Sequence, residues 1–141
     1  MTVKQISVFI ENNQGSLAPF CRMLADKGID LIALSLADTT NFGILRIMVS
    51  DPEAAYVEVL AAGYTANLTD VLAVAVPDHP GGLAEVLDAL SGAGIGVEYL
   101  YSLVHRVGEN AVLIVRVEDP AATIKALAST QARILSQEEV R

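Results

Sequence analysis

Residues 15–34, GSLAPFCRMLADKGIDLIAL, lie over residues 81–100, GGLAEVLDALSGAGIGVEYL, at a constant offset of 66 positions. Gly15 falls on Gly81, Leu17-Ala18 on Leu83-Ala84, Leu24 on Leu90, Gly28-Ile29 on Gly94-Ile95 and Leu34 on Leu100. After a two-residue insertion the offset becomes 68, and Asp51-Pro52 falls on Asp119-Pro120. The matched positions are glycines, prolines and periodic apolar residues, which fix a backbone more than they serve any one chemistry. A chain built this way folds as two copies of one unit. Each copy has about seventy residues, a size that buries a small fraction of its surface alone and gains from fusion to a second.

Within a copy the periodicity changes from two to about 3.6 and back. Residues 3–11 alternate as a strand, with Ile6, Val8 and Ile10 on one face. A turn around Asn12–Gly15 leads to a helix with Leu17, Phe20, Cys21 and Leu24 on one stripe, ended by Gly28. Strands over 30–38 and 43–50 follow, joined at Thr39–Asn41. Asp51-Pro52 opens a second helix ending at Gly63, with a strand over 64–70. The second copy repeats the order: strand 71–77, helix 81–93, strands 95–105 and 111–118, helix 120–130 and a last strand over 131–137. This predicts an α+β chain of two ferredoxin-like βαββαβ units, 1–70 and 71–141, each an antiparallel sheet with its helices on one face. On the opposite face the alternation places Phe9, Ala33, Ala73 and Ala75, a moderately apolar surface of the kind another subunit covers.

Composition removes several classes of function. The net charge of −8 and pI of about 4.5 oppose nucleic acid and anionic lipid. Cys21 is the one cysteine, so the chain forms no internal disulfide and no cysteine metal cluster. The first residues lack the apolar run of a signal peptide, and no stretch reaches the length of a membrane span, so a cytoplasmic location is expected. Gly92-Ala-Gly-Ile-Gly ends a helix where a phosphate loop would open one. His79 and His105 have no acidic or sulfur partner at ligand spacing and are expected to be ordinary loop and strand residues, with no metal or cofactor. Cys21, on an apolar helix face, is expected in the core.

The segments Glu11-Asn-Asn-Gln-Gly-Ser-Leu-Ala and Pro77-Asp-His-Pro-Gly-Gly-Leu-Ala resemble the strand-to-helix signature of ACT domains. Lys27-Gly-Ile-Asp and Ala93-Gly-Ile-Gly resemble that family's helix-to-strand turn. The resemblance covers nearly the whole chain, as a tandem ACT protein with no catalytic domain attached. It implies a regulatory module, not an enzyme. A free amino acid would bind as effector at an interface between ACT units, beside the strand-to-helix loop of one and the second strand of its neighbour. By position it nominates Asn12, Asn13, Gly15, Ser16 and Leu17 with Asp30 and Ser35 in the first copy. In the second it nominates Asp78, His79, Gly81, Gly82 and Leu83, with Tyr99 on the second strand. Gln14 stands where the family usually has proline, and Gly96 where it often has asparagine, so two inequivalent sites are expected.

Each nomination has a plainer reading beside it. Gly15 and Gly81 are also what any tight turn requires, and Asn12 and Asp78 suit a helix or turn cap. Asp30 suits a solvated strand start, and Tyr99 with Tyr101 an open sheet face. Expected partners are the amino acid, a second copy of the chain in a homodimer, and a metabolic enzyme. The alternative function is an interaction or regulatory-subunit module that binds no small molecule.

Overall fold

The structure, a computed structural model, describes all residues except 12, 14 and 39–41; the expected turn at Thr39–Asn41 and the nominated Asn12 lie outside the described residues. Its contacts divide the chain into two units, Lys4–Thr69 and Asp70–Arg141 together with Met1–Val3. We refer to them as the first and second unit.

The first unit contains β1 (Val3–Glu11), α1 (Leu17–Asp26), β2 (Leu31–Asp38), β3 (Phe42–Val49), α2 (Pro52–Ala61) and the beginning of β4 (Thr65–Pro77). Its strand order is β2-β3-β1-β4, which leaves β2 at an edge. β3 pairs antiparallel with both β1 and β2, in registers that put Ile10 opposite Gly43 and Leu36 opposite Leu45. Alternation sends Ile6, Val8, Leu45 and Ile47 to the helix side, where they meet Phe20 and Leu24 of α1 and Ala55 and Val59 of α2 in one buried cluster. The second unit runs through β4, α3 (Gly82–Gly92), β5 (Val97–Ser102), β6 (Asn110–Val117), α4 (Pro120–Leu127), β7 (Arg133–Leu135) and α5 (Gln137–Val140). Its order is β7-β4-β6-β5, with β5 at the edge. Leu72, Val74, Val76, Val115 and Leu127 form its core with Val86 and Leu90 of α3. The duplication extends to irregularities: β2 shifts register between Leu31 and Ala33, and β5 between Val97 and Tyr99, 66 positions on.

The structure departs from the sequence expectations at three points. The strands expected over 64–70 and 71–77 run on as the single strand β4, because nothing around Asp70 turns the chain. Ala33, Ala73 and Ala75 are buried where an open face was expected, and only Phe9 is exposed. Their small side chains are flanked by bulky buried neighbours, Met48 opposite Ala33, and Ile114 and Leu135 either side of Ala73. Thirdly, the chain ends in the short helix α5, which the sequence reading did not anticipate. Ser136 and Glu139 close a reciprocal capping box there, and Val140 is fully buried. An ion pair with Arg133, then the Ser136 backbone N–H, holds the Glu139 carboxyl below its ordinary pKa.

Aspartate caps begin α2 and α4 at matched positions. Asp51 accepts from the Ala54 N–H at 3.2 Å and Asp119 from the Ala122 N–H at 3.1 Å, each with proline next in sequence. Asp51→Ala and Asp119→Ala should each cost about 1 kcal/mol in a chemical unfolding series. A smaller loss at both would show that water replaces the carboxylate at the helix end.

Candidate functional site

In the first unit the chain leaves β1 at Glu11 and turns sharply into α1. The Asn13 N–H donates to the Glu11 carbonyl at 2.9 Å, and Asn13 Nδ2 donates to Glu11 Oε2 at 3.0 Å. Gly15 has φ +83°, a left-handed conformation that a side chain would strain. Ser16 stands at the helix N-cap, yet its hydroxyl points back, donating to the carbonyl oxygens of Glu11 at 2.7 Å and Asn13 at 3.1 Å. The first-turn N–H groups of α1 therefore receive no side-chain cap from Ser16. The first turn itself, Leu-Ala-Pro-Phe, contains no acid.

This loop borders a cavity of about 470 Å³. Asn13, Gly15, Ser16 and Leu17 line it on the loop side, together with Glu11. Ile10, Ala18, Cys21, Leu36 and Gly43 supply the remaining wall. Four nominated residues thus meet at one place. Cys21 is half-buried, packs against the core and also faces this cavity. Asp30 is elsewhere: it precedes β2, where its N–H donates to Ser50 Oγ at 3.2 Å and its carbonyl accepts from the Ser50 N–H. At strand rise it stands roughly 20 Å along β2 from Leu36. Ser35 lies opposite Arg46, and Arg46 opposite Ser7, on the face away from α1. Leu36, Cys21, Gly43 and Glu11 were not nominated. The alternation Leu34-x-Leu36 on a strand that ends as a sheet edge was the available signal for Leu36, which is 53% exposed. A neighbouring cavity of about 530 Å³ shares Glu11, Asn13 and Ser16 with this one and is bordered by Phe9, Phe42 and Tyr64.

The second unit arranges the matching loop differently. Asp78 forms an ion pair with Arg106 at 2.6 Å. Asp78 and His79 border a cleft of about 310 Å³ with Arg106, Glu109 and Asn110. The His79 N–H donates to the Pro77 carbonyl, and His79 Nδ1 lies 3.0 Å from the Pro80 carbonyl oxygen. Gly81, at φ +90°, is the N-cap of α3. Gly82 is buried, and Leu83 is exposed. None of these three borders that cleft. Tyr99 lies opposite Arg116, which donates to the Asp70 carbonyl at 3.0 Å and pairs with Glu98 at 3.3 Å. A hollow of about 820 Å³ lies at the α3–β5 turn and is bordered by Gly96. Of its three carboxylates, Glu98 pairs with Arg116 and Asp119 caps α4, while Glu118 also borders the hollow.

Among the described residues, no three His, Cys, Asp or Glu side chains gather as a metal site, and no helix is long and apolar enough to cross a membrane.

A family model described as an ACT domain pair matches residues 1–140. The chain is similar to the solved protein BT0572 from Bacteroides thetaiotaomicron, at 36% identity and a TM-score of 0.90, over 99% of this chain and 96% of that one. It shares its fold with the ligand-free regulatory subunit of aspartate kinase from Thermus thermophilus, at 20% identity and a TM-score of 0.62, over 88% and 89%. The corresponding Thermus flavus subunit stands at 18% and 0.60, over 88% and 89%. No curated protein matches the sequence.

Proposed function

The chain belongs to the ACT domain-pair family, and from that premise we propose that it is a regulatory protein whose first unit binds a free amino acid beside Gly15. One observation carries the reading. Asp51, Asp119 and Ser136 cap the helices they precede, whereas α1 and α3 have no side-chain cap. At α1 the N-cap Ser16 borders a cavity, with Leu17 and Ala18 carrying the first-turn N–H groups because Pro19 has none. Free N–H groups at the positive end of a helix suit a carboxylate. Glu11, on the same rim, offers a carboxylate to an α-ammonium group. An amino acid carries both charges at the spacing of one carbon, and glycine at position 15 lets the backbone come close to it.

The protein is not an enzyme on this reading. Its effect would pass to a partner, through unequal affinity of the ligand for two states of the complex. The fold shared with aspartate kinase regulatory subunits supports a metabolic enzyme as that partner. A second copy would join along the β2 edge, where Leu34 and Leu36 are exposed, and place another unit's second strand beside the cavity. The cytoplasm, where free amino acids and their enzymes meet, is the compartment this role requires. A ligand-free interaction module is the second reading, favoured by the same exposed leucines together with Phe42.

Thermal unfolding of ligand-free protein against each of the twenty amino acids separates the two. A ligand at a hundred times its dissociation constant adds about 2.7 kcal/mol, which for a chain of this length is a shift of several degrees. Gly15→Val should abolish the shift and Gly81→Val should retain it. A flat panel would favour the interaction module. A shift lost on Gly81→Val alone would move the site to the second unit.

A further inference from the structure

Building on the amino-acid reading of the first unit's cavity, we infer that the ligand carries an uncharged aliphatic side chain, seated against Cys21, Leu36 and Gly43, and that the second unit has no equivalent seat. The lining divides by character. Among the described residues Glu11 is its one charged residue, and that carboxylate sits on the loop rim, bonded to Asn13. Away from the rim the wall is Ile10, Ala18, Cys21, Leu36 and Gly43. A charged ligand side chain entering there would surrender its hydration and find no counter-charge. A cationic one would compete with the ligand's own ammonium group for Glu11, and an anionic one would face it as a like charge. An aliphatic side chain loses nothing and covers Leu36, which is otherwise half in water.

Gly43 shapes that wall. A Cβ at position 43 would lie 3.0 Å from Leu36 Cδ1, so any other residue there would press the Leu36 side chain aside by a few tenths of an ångström and take up part of the space. The second unit changes all three residues. Strand registers establish the correspondence: Ile10–Gly43 matches Val76–Ala111, and Leu36–Leu45 matches Ser102–Leu113. Gly43 thus becomes Ala111 and Leu36 becomes an exposed Ser102. On the helix, Cys21 becomes the larger Leu87. The second unit has filled the floor of this space and removed its apolar outer wall. Asp78, at the loop, is already paired with Arg106.

Isothermal titration of the ligand-free full chain with valine, leucine, isoleucine and methionine, and with lysine, aspartate, serine and glutamine, tests this. We expect one aliphatic ligand per chain, bound at least about tenfold more tightly than any charged or polar one. Leu36→Ser and Cys21→Leu, which import the second unit's residues, should each weaken it at least about tenfold, and Leu87→Ala should leave it unchanged. Circular dichroism verifies that each variant is folded. Tightest binding by a charged, hydroxyl or amide amino acid, two ligands per chain, or a smaller loss in either first-unit variant would overturn the inference and leave the amino-acid reading standing. Absence of binding by all eight, together with a flat thermal panel across all twenty amino acids, would overturn both.

Discussion

Gly82→Ala should lower the stability of the protein by about 3 kcal/mol or more, with Gly82→Ser at least as damaging, although a single small side chain is all that is added. A Cβ at this position would lie 2.2 Å from the Pro77 carbonyl oxygen and 3.3 Å from its carbon. Neither atom is the free end of a side chain. Pro77 closes the β4–β6 ladder opposite Asn110, and its carbonyl accepts the His79 N–H at 3.0 Å. Gly82 is tied in turn by its own N–H to the His79 carbonyl at 3.1 Å. Relief therefore requires displacing strand, loop and helix start together. The first unit meets the same problem with the opposite solution. Ser16, the residue matched to Gly82, donates its hydroxyl to the Glu11 carbonyl, the group matched to Pro77. Ser16→Gly should consequently cost only about 1 kcal/mol, the net worth of one hydrogen bond. Urea unfolding midpoints at unchanged slope measure both. A Gly82→Ala protein within about 0.5 kcal/mol of wild type would show that the Pro77 carbonyl retreats freely, and that the two loops differ less than their contacts indicate.

That contrast marks how much of the molecule was legible in its sequence. Gly15-on-Gly81 and Asp51-Pro52-on-Asp119-Pro120 reveal the duplication, and the two periods assign strands and helices, because backbone geometry is imposed locally. Asn13, Gly15, Ser16 and Leu17 are nominated from the same local pattern, and all four border one cavity. The far wall of the cavity was not legible. Leu36 and Gly43 reach it through strand pairing, and Cys21, counted as core, faces it because the helix stripe is wider than the core beneath it. Asp30, which the resemblance sets against the loop of a neighbouring unit, lies at the other end of β2 from the cavity of its own unit. Helix α5 is not legible from periodicity although Ser136-x-x-Glu139 is a capping-box spacing, because a helix of four residues is too short to show a period. Alternation places Ala33, Ala73 and Ala75 on the face away from the helices, but it does not report whether that face meets solvent, and their paired neighbours Met48, Ile114 and Leu135 are buried with them.

Phe20→Ala should be the most damaging core substitution in the first unit, costing about 3–5 kcal/mol in the same unfolding series. Phe20 is fully buried and the largest of the side chains shielded completely. It belongs to one buried cluster with Ile6, Val8 and Leu45 of the sheet and Ala55 and Val59 of α2, the cluster that fixes α1 to its unit. Tyr64 meets it edge-on, at a centroid distance of 5.1 Å and an interplanar angle of 88°. Truncation removes the ring, the edge-to-face contact worth about 0.5–1.5 kcal/mol, and the packing of everything around the hole. The second unit again provides the comparison, for Val86 occupies the matched position on α3 and is nearly as buried. Val86→Ala deletes the equivalent of two methylenes, about 1.6 kcal/mol of transfer free energy. The difference between the two variants should therefore exceed about 1.5 kcal/mol. Its functional consequence separates packing from binding. Phe20 lies on α1 one residue before Cys21, so a loosened α1 shifts the cavity wall. Phe20→Leu, which retains most of the volume, should recover stability and ligand affinity together. Recovery of stability without affinity would instead assign the aromatic ring a part in holding Cys21 against the ligand.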